Sequence, residues 1–371
     1  MENGLTFGRF LGIPLRLHYS WFLILVLIVW SLASGYFPQE FPGWQSGAYW
    51  LIGLLTSVLF FGSVLVHELG HSVIALREGV PVKSITLFFF GGLAHIARDP
   101  DTAGAEFRIA IAGPLTSLAL AGLFFLGTWL TPISEEIAAA SQYLFRINYL
   151  LAAFNMIPGF PLDGGRVLRA ILWKLGRSFQ KATRWAAYIG QGVALLFIIY
   201  GVWMMFRGDF LNGLWIAFIG FFLNNAAETS VRQVTIRESL LGVTASQLMS
   251  NRCMQVPVDM PLADLVNAHV LGRGDRCFFV IDQGLLQGLL TLHNIKAVPR
   301  SSWNTVTVTD VMIPLEQLLT IHPDEDAWTI LRKMDEADIN QVPVMDAGNL
   351  LGVVTRDHLL HYLRTRSELG V

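Results

Sequence analysis

Between Tyr49 and Leu76 the chain is apolar and long enough to cross a bilayer, yet its later half reads His67-Glu68-Leu69-Gly70-His71. A segment surrounded by hydrocarbon must satisfy its own backbone polar groups, so it can only be a helix. Ionisable side chains there are costly, roughly 2.5 to 3.5 kcal/mol each for Asp, Lys or Arg on insertion scales, and their presence is by default a sign of function. On a helix, residues four apart share a side, so the two imidazoles can hold one Zn²⁺ while Glu68 faces the water that the ion activates. The bland alternative is a pair of satisfied core histidines with Glu68 as a buried ion-pair partner.

Two histidines leave a catalytic zinc one protein ligand short. The best candidate for the third lies in Asn155-Met-Ile-Pro158-Gly-Phe-Pro161-Leu162-Asp163-Gly164-Gly165-Arg166, where two prolines and three glycines interrupt an apolar span that starts near Leu144. Irregular backbone at membrane depth is tolerated only where protein or a wet cavity surrounds it. Asp163 on such a break can turn toward a metal, although Asp before Gly also serves as an N-cap or a solvated turn.

Apolar residues make up 53% of the chain and charged residues 15%, against about 25% charged in ordinary soluble domains. Six spans are expected, at about 18–37, 49–76, 106–130, 143–174 with its proline break, 184–206 and 210–227. No cleavable leader is expected, because Arg9 and Arg16 precede a long first span. The loops at 38–48 and 131–142 lack Lys and Arg, whereas 77–108 carries Arg77, Lys83, Arg98 and Arg108, and 166–184 carries Arg166, Arg169, Lys174, Arg177, Lys181 and Arg184. The positive-inside rule then places both termini in the cytoplasm of a multi-pass plasma-membrane protein. At 1.5 Å per residue, His67 lies roughly 15 Å from the charged end at Arg77, below the membrane surface.

Val80 to Ile96 is too short for a further span, and its alternation suggests a strand whose edge could bind an unwound substrate, or else a structural hairpin. His95 has no motif partner and is expected not to be a ligand. Gly113-Pro114 in the third span is read as a helix-packing site or a kink.

These motifs, together with FLGIPLRLHYSW near the N-terminus, FFFGGLAHI after the zinc helix and AGPLTS in the third span, resemble the site-2 protease family of intramembrane zinc metalloproteases over residues 1 to 228. The resemblance implies that His67, His71 and Asp163 ligate one zinc per chain and that Glu68 is the general base. It also implies that Asn155 helps to position the substrate peptide or its oxyanion. Such enzymes cut within or beside the transmembrane helix of a membrane-protein substrate during regulated intramembrane proteolysis.

Residues 229–243 read as a linker, and 244–366 as a soluble α/β region with an internal repeat. Phe278 to Thr291 aligns with Val342 to Thr355 at an offset of 64, and SQLM with TDVM at 63. The repeats, at 244–300 and 308–366, resemble a pair of cystathionine-β-synthase (CBS) domains, which implies a cytoplasmic module that could bind ATP or AMP and form a homodimer. By that resemblance Gly352, Thr355 and Asp357 would hold phosphate and ribose, while His293 replaces the aspartate in the first repeat. Cys253 and Cys277 are expected as unpaired thiols in a reducing cytoplasm. A formal net charge of −2 and no basic stripe argue against a nucleic-acid partner. The expected fold is therefore a polytopic α-helical membrane protein of about six spans, with a small membrane-associated β element and a C-terminal α/β CBS pair. The competing reading is a CBS-gated ion or metal transporter; it leaves the carboxylate of Glu68 without a task.

Overall fold

The structure, a computed structural model, describes residues 4–89, 91–130, 134–250 and 253–369. Phe90 of the expected strand segment and residues 131–133 of the loop without Lys or Arg fall outside these. Contacts divide the chain into two compact units, Met1–Val234 and Thr235–Val371.

The first unit opens with a hairpin, β1 (Gly4–Phe10) and β2 (Ile13–His18), closed by Leu11 and Gly12, both at positive φ. Two consecutive positive φ values give the mirror-image turn that suits the twist of a hairpin. His18 then caps α1 (Tyr19–Glu40), its Nδ1 accepting the Ser20 N–H. Next come α2 (Ser46–Arg77), β3 (Val82–Phe88), β4 (Gly91–Ile96), α3 (Ala103–Gly127), α4 (Glu135–Asn155), α5 (Asp163–Lys174), α6 (Phe179–Phe206) and α7 (Phe210–Leu240).

Five of these helices, α1, α2, α3, α6 and α7, are long and apolar enough to cross a membrane. They leave large apolar side chains such as Leu23, Leu55, Leu123 and Leu196 exposed, which a water-soluble surface rarely does on this scale. The count differs from six because the expected fourth span is two helices. α4 carries Glu135, Glu136 and Arg146, which lower its hydropathy, and α5 has only 12 residues. The last helix overruns its expected end at 227, so the stretch read as a linker is helical as far as Leu240.

The four strands form one sheet in the order β1-β2-β3-β4, with β2 and β3 parallel and the other pairs antiparallel. The alternation around Val82 to Phe88 is thus a real strand, and β4 lies at the sheet edge. Ile13, Leu15 and Ile85 bury against Leu65 and Leu69, so the sheet grips α2 on either side of His67. Across α2, Asn148 of α4 donates to Ser63 Oγ at 3.2 Å, a polar clamp inside an otherwise apolar contact.

In the second unit, β5 (Met254–Pro257), β6 (Cys277–Asp282), β7 (Leu285–Thr291) and β8 (Ile313–Pro314) form one sheet, and β9 (Gln341–Asp346) pairs with β10 (Asn349–Thr355) in another. The hairpins β6-β7 and β9-β10 turn on Gln283-Gly284 and Ala347-Gly348, corresponding positions at the offset of 64 with similar positive φ, which fits the duplication read from the sequence. Each repeat lends its opening turn to the other's core. Ala245 and Leu248 bury with Ile330, Val342 and Leu359, whereas Val308 buries with Leu262, Phe278 and Leu290.

The expectation of unpaired thiols is overturned: Cys253 and Cys277 form a disulfide, with Cα atoms 4.8 Å apart. The parallel register that sets Met254 beside Phe278 makes the two preceding cysteines neighbours. Their separation of 24 residues gave no hint of this.

Candidate metal centre

One turn apart on α2, His67 and His71 each keep 4% of their surface. The remaining orientation comes from α3. His71 Nδ1 donates to the Ile109 carbonyl at 2.7 Å, which leaves Nε2 as the atom with a free lone pair. His67 Nδ1 lies 2.9 Å from Ser117 Oγ, so its Nε2 is likewise the atom turned inward. A ligating histidine is held in this way in most metal sites.

Asp163 completes the group. Its Oδ2 lies 3.2 Å from His67 Nε2 and 3.1 Å from His71 Nε2, and the two Nε2 atoms are 3.2 Å apart. Among the described residues this is the group of His, Cys, Asp and Glu whose donor atoms converge. His95 is not in it. Four ligands at ~2.0 to 2.1 Å in a tetrahedron sit about 3.3 Å from one another, so the triangle has the size that Zn²⁺ requires. Three electron-rich atoms this close need positive charge between them, a proton or a metal ion, and two imidazoles with one carboxylate are a donor set that Zn²⁺ takes.

Asp163 was expected on the break itself. It is instead the first residue of α5, with Gly164 and Gly165 in the same turn. These glycines do not end a helix. They let α5 begin against loop backbone, since a Cβ on Gly164 would strike Met156 and Ile157, and one on Gly165 would strike Gly159 and Phe160. The loop is fixed in turn by Phe160, whose N–H donates to Ala186 O of α6 at 3.2 Å.

Glu68 points from the half-buried side of α2 to the sheet, where its Oε2 accepts the Ala94 N–H of β4 at 3.2 Å. It is adjacent to the ligand group without joining it. Asn155 is the last residue of α4 and donates Nδ2 to its own helix at Leu151 O, 3.0 Å away. In the second unit, Gly352 is buried in β10, Thr355 ends that strand, and Asp357 is exposed in the first turn of α8 (Arg356–Leu369). Thr355 Oγ1 accepts the His358 N–H at 3.2 Å. In the first repeat, Thr291 is bound to Asn294, and His293 stands where the second repeat has Asp357.

The sequence reading missed the face of α3 that builds the site. Gly113 was read as a packing or kink residue, yet a Cβ there would meet the Nε2 atoms of both histidines. Glu106, Ile109, Gly113 and Ser117 recur at spacings of three, four and four, one face of a helix. Two polar residues on that face of an apolar span were the available signal.

A His-His-Asp donor set with both histidines buried, beside the Glu68 carboxylate and among membrane-length helices, defines a membrane-embedded metallohydrolase. Comparison with known proteins carries this further. The description "Peptidase family M50" matches residues 55–140 and 130–199, and a CBS domain matches 308–365. Two curated relatives carry the names of putative zinc metalloproteases. Protein sll0528 of Synechocystis sp. is 36% identical over 98% of this chain and 97% of its own, and Rip3 of Mycobacterium tuberculosis is 34% identical over 96% and 91%. The solved site-2 protease of Methanocaldococcus jannaschii is 30% identical, covering 62% of this chain and 95% of its own at a TM-score of 0.41. The chain belongs to peptidase family M50. It is a membrane metalloendopeptidase of the site-2 protease type with a C-terminal CBS domain, and the transporter reading gives way to it.

Proposed function

We propose that His67, His71 and Asp163 hold one zinc ion and that Glu68 is the general base for peptide-bond hydrolysis inside the membrane. The observation that carries this is the convergence of three donor atoms, 3.1 to 3.2 Å apart, two from buried histidines on a helix of membrane length and one from the half-buried Asp163 at the start of α5. The zinc would supply Lewis acidity, polarising the scissile carbonyl and lowering the pKa of the attacking water toward ~7. Glu68 takes the proton of that water and delivers it to the leaving amine. Asn155, at the end of α4, releases its bond to Leu151 O and orients the substrate peptide or its oxyanion.

The substrate is a transmembrane or membrane-proximal segment cut in regulated intramembrane proteolysis. It must unwind to expose a peptide bond, and β4 supports an extended binding mode, being an edge strand whose Ala94 already touches Glu68. The Lys and Arg distribution supports cytoplasmic termini in a plasma-membrane protein. Purified chain is expected to carry one zinc, and removal by a chelator should abolish cleavage while readdition restores it. Full-strength cleavage by metal-free protein would refute the reading. Comparing the membrane proteome of cells with active enzyme and with Glu68→Gln identifies the substrate.

The CBS pair is proposed to bind ATP or AMP through Gly352, Thr355 and Asp357, to tune proteolysis, and to join two chains as a homodimer. The placement of Thr355 and Asp357 at the junction of β10 and α8 supports one nucleotide site, while His293 disfavours a second. Calorimetry on the full chain should show about one adenine nucleotide per chain, with most binding lost in Asp357→Ala. Coupling energies of ~1 to 3 kcal/mol bound any change in activity at roughly 5- to 150-fold. No binding at millimolar nucleotide would leave the module as a dimerisation element.

A further inference from the structure

Glu106 sits in the first turn of α3 with 0% of its surface exposed. A carboxylate so placed needs compensating charge, and it receives two guanidinium groups, both from α5. Arg166 donates Nε–H to Oε1 at 3.1 Å, and Arg169 donates from Nη2 to the same oxygen. Arg169 keeps 7% exposure. Its guanidinium lies 5.1 Å from the ring centre of Phe160 in the loop and 4.6 Å from that of Phe179 at the start of α6.

Asp163, Arg166 and Arg169 follow one another at intervals of three, so they share a face of α5. That face meets the metal site at one end and Glu106 at the other. Residues further along the same side of α3 orient the remaining ligands: Ile109 O holds His71, Ser117 holds His67, and Gly113 leaves room for both Nε2 atoms.

We propose that Glu106 is a positioning residue of the metal centre, clamping α5 through Arg166 and Arg169 so that Asp163 stays within ligand distance of the histidines. The proposal rests on the reading of His67, His71 and Asp163 as the metal ligands. Without the Glu106 charge, the half-buried Arg166 and the buried Arg169 lose this acceptor, Arg169 keeping Asp99 at 4.0 Å, and turn to other carboxylates, Asp163 among them. An ion pair that merely joined two helices could be broken at a cost in stability and leave metal affinity in the folded protein unchanged.

The test uses the full chain, stripped of metal, titrated with Co²⁺ for its visible absorption and with Zn²⁺ against a chelating indicator. Removal of outer partners in metal sites typically weakens binding 10- to 100-fold, and that range is expected for Glu106→Gln, with a weaker, shifted Co²⁺ spectrum and unchanged helical circular dichroism. Glu106→Asp, which keeps the charge, should recover part of the affinity. Arg166→Gln should reproduce part of the deficit, and the double variant Glu106→Gln with Arg166→Gln should be less impaired than the two deficits combined. If Glu106→Gln does not fold, Glu106→Asp and Arg166→Gln carry the comparison. Zinc affinity within twofold of wild type in folded Glu106→Gln overturns the proposal, as do fully additive deficits. Wild-type protein that binds neither ion would instead remove the metal-centre reading on which the proposal stands.

Discussion

Glu68→Gln is expected to keep its zinc and lose proteolysis by roughly 10²- to 10⁴-fold, the usual range for a general acid–base group. The substitution preserves shape and leaves the ligand triangle intact, because Glu68 is turned to Ala94 of β4 and does not join the converging donors. The amide can still accept the Ala94 N–H but cannot take a proton from water. Zinc content by mass spectrometry and cleavage of a membrane-embedded reporter separate the two effects. Undiminished cleavage would refute the mechanism, whereas joint loss of zinc and activity would make Glu68 a ligand or a structural residue.

Gly113→Ala is expected to be nearly as damaging, and it removes no functional group. The added methyl would lie 2.7 Å from His67 Nε2 and closer still to His71 Nε2, inside the space the metal needs. Packed interiors do not absorb such an overlap without moving the ring or the helix. A loss of at least about 100-fold in zinc affinity is expected, at the upper end for disrupted metal surroundings. Gly122→Ala on the same helix meets nothing within 4 Å and serves as the control. Equal zinc binding by Gly113→Ala and Gly122→Ala would mean that the histidines do not face α3 as the structure has them.

The contrast between Gly113 and the HELGH motif shows which parts of this molecule could be read without coordinates. His67, Glu68 and His71 are legible because their relation is local: a helix fixes where residues four apart point, and apolar surroundings make their cost conspicuous. Asp163 was legible as an interruption, since prolines and glycines at membrane depth require an explanation, but its chemical partner was supplied by resemblance and not by spacing. The repeat in the second unit was legible as self-similarity, in the alignment of Phe278 to Thr291 with Val342 to Thr355; the corresponding turns at Gln283-Gly284 and Ala347-Gly348 came from the structure.

The exchange of opening turns between the repeats was not legible, nor was the pairing of Cys253 with Cys277, because both depend on which strands become neighbours. The Leu11-Gly12 hairpin was hidden for a different reason, as Leu at positive φ is not a turn signal. By itself, then, the sequence determined that a membrane-length helix carries two histidines on one side with Glu68 between them, because helical periodicity and hydrocarbon burial act along the chain. Only the tertiary structure decided that one face of α3 orients both histidines, leaves space at Gly113 and meets α5 through Glu106, because those contacts join residues 38 to 63 positions apart. Packing selects such partners, and no local pattern encodes them.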